Sequence, residues 1–149
     1  MIYNAYYPSP FGMLRIGHED GSVVSISHAD NCQDHVPSPV SDLAHAQLQE
    51  YFSGKRRRFD FPICPVGTPF QLSVWEALRD IPYGEIRTYG QIASVIGKPG
   101  AARAVGMACN RNPLWIVIPC HRVVGSNHAL TGYAGGLDMK RSLLALEKE

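Results

Sequence analysis

Pro62-Ile63-Cys64-Pro65-Val66-Gly67-Thr68-Pro69 places three prolines and one glycine in eight residues of a 149-residue chain. Proline has no amide donor and a fixed φ, so such a stretch neither propagates a helix nor fills a central strand. It reads as a linker. A strand hairpin and one helix are read before it, and helices dominate after it, so the chain divides there into two subdomains.

Upstream, Met13–Ile16 and Val23–Ile26 are apolar-rich runs separated by His18-Glu19-Asp20-Gly21. An Asp-Gly step between such runs signals a hairpin, because tight hairpin turns need positive φ. Asn31 to Pro39 is polar, holds two prolines and reads as a loop. Ser41 to Phe52 carries Leu43, Leu48, Tyr51 and Phe52 at helical spacing, with Gly54 placed to end that helix. The basic run Lys55–Arg58 reads as a solvated turn, with a phosphate-binding patch as the alternative.

Downstream, Thr68 is a fair N-cap with Pro69 in the first helical position, and Phe70, Val74, Trp75 and Leu78 share one face. Ile81-Pro82-Tyr83-Gly84 stops that helix. Thr88 to Ile96 and Ala101 to Ala108 are short helices about the turn Gly97-Lys98-Pro99-Gly100, a helix-turn-helix candidate. Ordinary helix pairs share this pattern, so the DNA-reading interpretation stays open on pattern alone. Leu114-Trp115-Ile116-Val117-Ile118 reads as a buried extended segment that stops at Pro119. Val123 to Tyr133 is a polar loop, and Leu137 to Glu147 an amphipathic helix with Met139, Leu143, Leu144 and Leu146 apolar.

Composition excludes several classes. A chain 45% hydrophobic and 18% charged has too much apolar surface and too little charge for disorder. No apolar run approaches the ~20 residues a membrane helix needs, and no basic start followed by an apolar stretch opens the chain. We therefore expect a soluble, cytoplasmic protein with no membrane partner. The net charge of +1 combines −2 over residues 1–65 with +3 over residues 66–149, which permits a polyanion partner without demanding one. The four cysteines (Cys32, Cys64, Cys109, Cys120) are expected to be reduced thiols. No Cys-x-x-Cys pair is present, so no metal site is expected.

Cys120 has the most suggestive setting. An apolar run delivers it to a proline, and His121 and Arg122 follow. A nucleophilic thiol needs a neighbouring base or positive charge to lower its pKa from ~8.5. Adjacent residues on an extended chain point to opposite sides, so a turn would be needed to bring thiol and imidazole together. A core cysteine at the end of a strand is the alternative on these residues alone. Cys109, on the small-residue helix, reads as a core cysteine.

Ile118-Pro119-Cys120-His121-Arg122-Val123-Val124 resembles the signature of the O6-alkylguanine-DNA alkyltransferases. So do Pro82-Tyr83-Gly84-Glu85 with Thr88-Tyr89-Gly90, Ala101-Ala102-Arg103-Ala104-Val105-Gly106, Asn110-Arg111-Asn112-Pro113, and Thr131-Gly132-Tyr133-Ala134-Gly135-Gly136-Leu137, in the family's order and spacing. The resemblance covers about residues 66–148 closely and the N-terminal third loosely. It implies an α/β protein in which a small antiparallel sheet plus helix (residues 1–65, ribonuclease-H-like) packs on a mainly helical, winged-helix-like subdomain (residues 66–149).

The resemblance also implies roles. Cys120 would attack the alkyl carbon on O6 of guanine, or O4 of thymine, and keep the alkyl group. His121 would act as its base through a water, oriented by Glu147. The nucleotide must leave the duplex to reach a protein thiol. Arg103 would fill the vacated stack, and Tyr89 would hold the 3′ phosphate. Asn112 would tie the helix-turn-helix to the active-site segment, and Tyr133 with the backbone around Ala134 would line the base pocket. Ala134 stands where some relatives have serine, so one hydroxyl contact is missing. No cofactor is implied, and the partner would be double-stranded DNA bound by a monomer. A related non-enzymatic group carries tryptophan at the acceptor position, and Cys120 separates this chain from it. A non-catalytic lesion binder and a cysteine hydrolase or redox thiol protein are the rival readings; the second leaves Arg103 and Tyr89 unexplained.

Overall fold

Asp20 and Gly21 both adopt positive φ, 50° and 79°, the turn geometry that matches the twist of paired strands. In this computed structural model, which describes residues 1–148, that turn joins β2 (Gly12–Glu19) to β3 (Ser22–His28). A further strand, β1 (Tyr3–Ser9), pairs with β2 on its other side, giving an antiparallel sheet in the order β1-β2-β3. The register sets Ile16 opposite both Ala5 and Ile26, so one face of the sheet is continuously apolar.

Helix α1 (Pro39–Phe52) covers that sheet and packs on all three strands. Ser38 caps it: the Ser38 hydroxyl accepts from the Ser41 amide, and the Ser41 hydroxyl accepts in return from the Ser38 amide. The helix therefore starts two residues before the expected Ser41, with Pro39 where a missing amide proton costs nothing. Val40, Ala44, Leu48 and Tyr51 are buried, whereas Leu43, counted on the helical face from sequence, is 44% exposed.

The proline stretch is a linker only in its second half. The Val23 amide donates to the Pro62 carbonyl and the Cys64 amide to the Val23 carbonyl, both at 2.9 Å, pairing Ile63 with the free edge of β3. Proline lacks a donor but keeps its carbonyl, which an edge strand can use. The chain forms two compact units, Met1–Val66 and Gly67–Glu149.

In the second unit, α2 (Pro69–Arg79) is capped by Thr68 and Gln71 and buries Val74, Trp75 and Leu78. The Trp75 indole donates to the Ala108 carbonyl at 2.9 Å, so its one polar atom is satisfied inside the core. Strand β4 (Arg87–Thr88) leads into α3 (Tyr89–Val95), capped by Thr88 with Gln91. A turn with Gly97 at φ 77° follows, then α4 (Ala102–Asn110), and α3, α4 and α2 pack on one another. After a 3-10 turn at Cys120–Arg122, β5 (Val123–Val124) pairs parallel to β4, and α5 (Leu137–Glu147) closes the described chain. No helix among the described residues is long and apolar enough to cross a membrane.

Candidate active site

Leu114–Ile118 was expected as an extended segment and instead doubles back. The Ile118 amide donates to the Leu114 carbonyl at 3.0 Å and the Val117 amide to the Trp115 carbonyl at 2.8 Å. Ile116 sits at φ 74°, a conformation that costs a β-branched residue roughly 1–3 kcal/mol unless its surroundings impose it. Burial of Leu114, Ile116 and Ile118 supplies that imposition: none is more than 1% exposed. Apolar composition fixed the burial, but the period of so short a run does not distinguish strand from turn.

Asn112 organises this turn. Its side-chain carbonyl accepts from the Leu114 amide at 2.9 Å. Its Nδ2 donates to the Ile118 carbonyl at 2.8 Å and to Cys120 Sγ at 3.2 Å. One buried carboxamide at the end of α4 thus holds both the turn and the thiol.

Pro119 ends the turn, and Cys120, His121 and Arg122 form one 3-10 turn, all three buried. The turn that adjacency alone could not supply is present. Burial pushes the Cys120 thiol up to about 11, and the Asn112 donor and the Lys140 charge partly offset that rise. A thiol of this kind is protonated at neutral pH, so its reaction as a nucleophile requires a base. Burial pushes Cys109 up as well, in keeping with a core cysteine. All four cysteines are free thiols.

His121 is fully buried, with Nε2 2.6 Å from Glu147 Oε2. Burial would raise the Glu147 pKa, but hydrogen bonds from His121 and Arg122 outweigh it and hold the carboxyl below its ordinary range. An ionised carboxylate only accepts, so Nε2 carries the proton. Burial lowers the His121 pKa, which leaves the ring neutral with its lone pair on Nδ1. Nδ1 has no protein partner among the described residues. Glu147, near the end of α5, is 4% exposed.

Two buried cations stand at this site: Arg122, which the sequence reading names only as a neighbour of Cys120, and Lys140, which it does not name. Arg122 reaches Glu147 through Nε at 2.8 Å and Nη2 at 3.0 Å, and its Nη1 donates to the Ile81 carbonyl at 2.7 Å. Lys140 is fully buried and donates to the carbonyls of Val123 at 2.6 Å and Thr131 at 3.1 Å. Its position in the polar stretch of an amphipathic helix resembles that of any solvated lysine, which is why sequence gave no signal.

The remaining residues are more dispersed. The Tyr133 hydroxyl is buried with no partner among the described residues, and the ring centroids of Tyr133 and Trp115 are 6.2 Å apart. Burial raises the Tyr133 pKa well above its ordinary value. Tyr89, half-buried at the start of α3, hydrogen-bonds through its hydroxyl to Thr131 Oγ1 at 2.8 Å and lies 6.0 Å below the Lys140 ammonium. Ala134 is exposed in the turn before α5, and Arg103 is exposed on α4. The structure thus forms two hydrogen-bonded pairs, Asn112 with Cys120 and His121 with Glu147, joined by the adjacency of Cys120 and His121 in one turn. Arg103 stands apart from them on the outer face of the helix-turn-helix.

Residues 69–149 match the family described as "6-O-methylguanine DNA methyltransferase, DNA binding domain", and residues 2–65 match its "ribonuclease-like domain". A methylated-DNA–protein-cysteine methyltransferase of Methanosarcina acetivorans is 48% identical over 98% of both chains. One of Mycolicibacterium paratuberculosis is 45% identical over 99% of this chain and 93% of its own. The crystal structure of the Mycobacterium tuberculosis O6-methylguanine methyltransferase superposes with a TM-score of 0.90 at 43% identity, covering 99% of this chain and 93% of that one. The same mycobacterial protein in complex with DNA gives 0.90 at 44% identity, over 98% and 92%. Matches over both halves of the chain, together with relatives of this identity along nearly its whole length, make it a member of the 6-O-methylguanine DNA methyltransferase family.

Proposed function

We propose that the protein repairs DNA as a methylated-DNA–protein-cysteine methyltransferase, moving an alkyl group from O6 of guanine, and from O4 of thymine, to Cys120. The observation that carries this reading is the Cys120–His121–Glu147 arrangement: a buried, protonated thiol one residue from an imidazole whose Nε2 is bound to a carboxylate and whose Nδ1 has no partner among the described residues. His121 accepts the thiol proton at Nδ1, directly or across one bridging water. The sulfur then forms a bond to the alkyl carbon as the carbon–O6 bond breaks, and the bonding electrons leave with guanine. The balance is one thiol and one alkylguanine in, one thioether and one guanine out, with the thiol proton passing from His121 to the guanine anion that the bond cleavage releases. No group regenerates the thiol, so one molecule repairs one lesion.

The lesion reaches Cys120 only if the nucleotide rotates out of the stack. Arg103, exposed on α4, fills the gap, and Tyr89 at the start of α3 holds the 3′ phosphate. Tyr133 and the backbone at Ala134 receive the base, with the unpaired Tyr133 hydroxyl available to donate as the leaving group gains charge. Asn112 keeps the thiol aimed by its hydrogen bond to Sγ. The protein works as a monomer on duplex DNA in the cytoplasm and needs no cofactor for this one-step transfer.

Intact-protein mass after incubation with an O6-methylguanine duplex tests the reading. A gain of about 14 Da mapping to Cys120 and stopping at one equivalent is the expected result. Retained lesion binding without a mass gain would overturn it in favour of a non-catalytic lesion binder.

A further inference from the structure

Glu147 serves two partners. It faces His121 Nε2 through Oε2 at 2.6 Å, and it is gripped by Arg122 through Nε on Oε1 at 2.8 Å and Nη2 on Oε2 at 3.0 Å. The Gly84 amide adds a longer contact to Oε1 at 3.3 Å. The third arm of the guanidinium, Nη1, is fixed to the Ile81 carbonyl at 2.7 Å, just beyond the end of α2, and the guanidinium carbon lies 5.7 Å from the Tyr83 ring centroid. The side chains of Glu147 and Arg122 are 1% and 9% exposed, so neither charge is dissipated in water.

A buried carboxylate whose chief partner were a neutral imidazole would be driven to change state. Desolvation would protonate it, or it would draw a proton onto the imidazole and form an ion pair. Either outcome removes the basic site on His121: a protonated carboxyl no longer fixes the Nε2–H tautomer, and an imidazolium has no lone pair at Nδ1. A guanidinium matched to the carboxylate in bidentate fashion blocks both, because it supplies the compensating charge permanently and cannot itself lose a proton.

We propose that Arg122 is a positioning residue for the alkyl transfer: held on the Ile81 carbonyl, it neutralises Glu147 and so keeps His121 uncharged with Nδ1 open to receive the Cys120 proton. The inference rests on the alkyl-acceptor reading of Cys120. The charged groups that act on His121 are Glu147 and Lys140 from α5 and Arg122 from its own turn. Lys140 also disfavours the imidazolium, but its ammonium is committed to the carbonyls of Val123 and Thr131.

The test is a nitrogen-15 NMR titration of the His121 ring in the DNA-free full chain, with alkylation rates measured in parallel. In the wild-type protein the ring stays neutral and Nε2-protonated from pH 6 to 8. An imidazolium or an Nδ1–H tautomer at pH 7 overturns the proposal without any variant. In Arg122→Gln the ring becomes protonated near neutrality, and the ratio of alkylation rates at pH 6 and pH 8 falls by roughly tenfold relative to wild type. Arg122→Lys retains a charge and loses the fork; it restores the pH profile while remaining slower than wild type. A purely structural role lowers the active fraction of both variants and leaves the pH profile and the His121 titration unchanged, which also overturns the proposal. If Arg122→Gln does not fold, the wild-type titration and Arg122→Lys decide. The titration needs no substrate, so failure of alkyl transfer to Cys120 is read separately from failure of this role.

Discussion

Asn112 Nδ2 donates to Cys120 Sγ at 3.2 Å while the same nitrogen holds the Ile118 carbonyl at 2.8 Å. The thiol is thereby tied to the backbone turn that presents it, and that turn is tied to the end of α4. A sulfur accepting a hydrogen bond is closer to a thiolate than one that accepts none, so this contact favours ionisation as well as aim. It works against the burial that raises the thiol pKa.

Replacing Asn112 by alanine removes the donor to sulfur, leaves the Leu114 amide without its partner and leaves the Ile118 carbonyl with the Cys120 amide alone. We expect a loss of about 1–3 kcal/mol in stability from the unsatisfied buried amide. The alkylation rate per folded molecule should fall roughly tenfold as the thiolate becomes scarcer. Thermal unfolding measures the first effect and rapid-quench alkylation the second. Unchanged Cys120 reactivity toward a small thiol reagent would remove Asn112 from the ionisation argument.

Lys140 presents a similar double duty. Its ammonium bridges the carbonyls of Val123 and Thr131, which anchors the loop between β5 and α5, and its charge opposes the rise in the Cys120 pKa. Lys140→Met keeps most of the packing volume and removes both effects. The expected outcome is a slower alkylation at neutral pH that recovers as pH is raised, together with faster hydrogen exchange in residues 125–135. A variant slowed equally at every pH would confine Lys140 to anchoring the loop.

Much of this architecture was legible before any coordinates. Asp20-Gly21, Thr68-Pro69 and Gly97 are local signals, and each produces the turn or cap that its chemistry requires. The antiparallel sheet with a helix, and the mainly helical second unit with its helix-turn-helix, followed from periodicity and the resemblance together. β1 was missed because its buried positions, Ala5 and Tyr7, give a thin apolar alternation beside Asn4 and Pro8. The folded-back Leu114–Ile118 turn was missed because its strain at Ile116 is imposed by surrounding packing and has no local residue signal. At the site, the roles expected of Cys120, His121, Glu147 and Asn112 come from the family resemblance; the residues alone leave Cys120 open between nucleophile and core cysteine. The Arg122 and Lys140 contacts depend on which side of a helix or turn meets the core, a tertiary fact that residue type hides.

Acid should destabilise the protein in two stages. His121 has a folded-state pKa below its ordinary 6.5, so the unfolded chain binds the extra proton first and stability falls as pH drops through 6.5. Glu147 is held below its ordinary 4.5, so its contribution is complete above that pH and is lost as pH falls toward the folded-state value. Melting temperature measured from pH 8 to pH 4 should decline below pH 6.5 and steepen below 4.5. In Glu147→Gln the second stage should be absent; a wild-type curve flat to pH 5 would contradict the neutral, buried His121.

Arg103 separates base flipping from chemistry. It is exposed on α4 and lies outside the hydrogen-bonded pairs at Cys120 and His121, so its removal should leave the thiol, the His121–Glu147 pair and the fold intact. If it occupies the gap left by the rotated nucleotide, its loss matters only where a stack must be opened, a cost of a few kcal/mol. Arg103→Ala should therefore slow alkyl transfer from duplex O6-methylguanine by roughly 10–100-fold, since each 1.4 kcal/mol is a factor of ten. The reaction with free O6-alkylguanine base should change by less than about twofold, because that substrate has no stack to leave. Both rates can be read from one intact-mass time course per substrate. Equal losses on the two substrates would mean that Arg103 supports the active site itself, whereas a loss of duplex binding with no change in the bound-state rate would make it a phosphate contact.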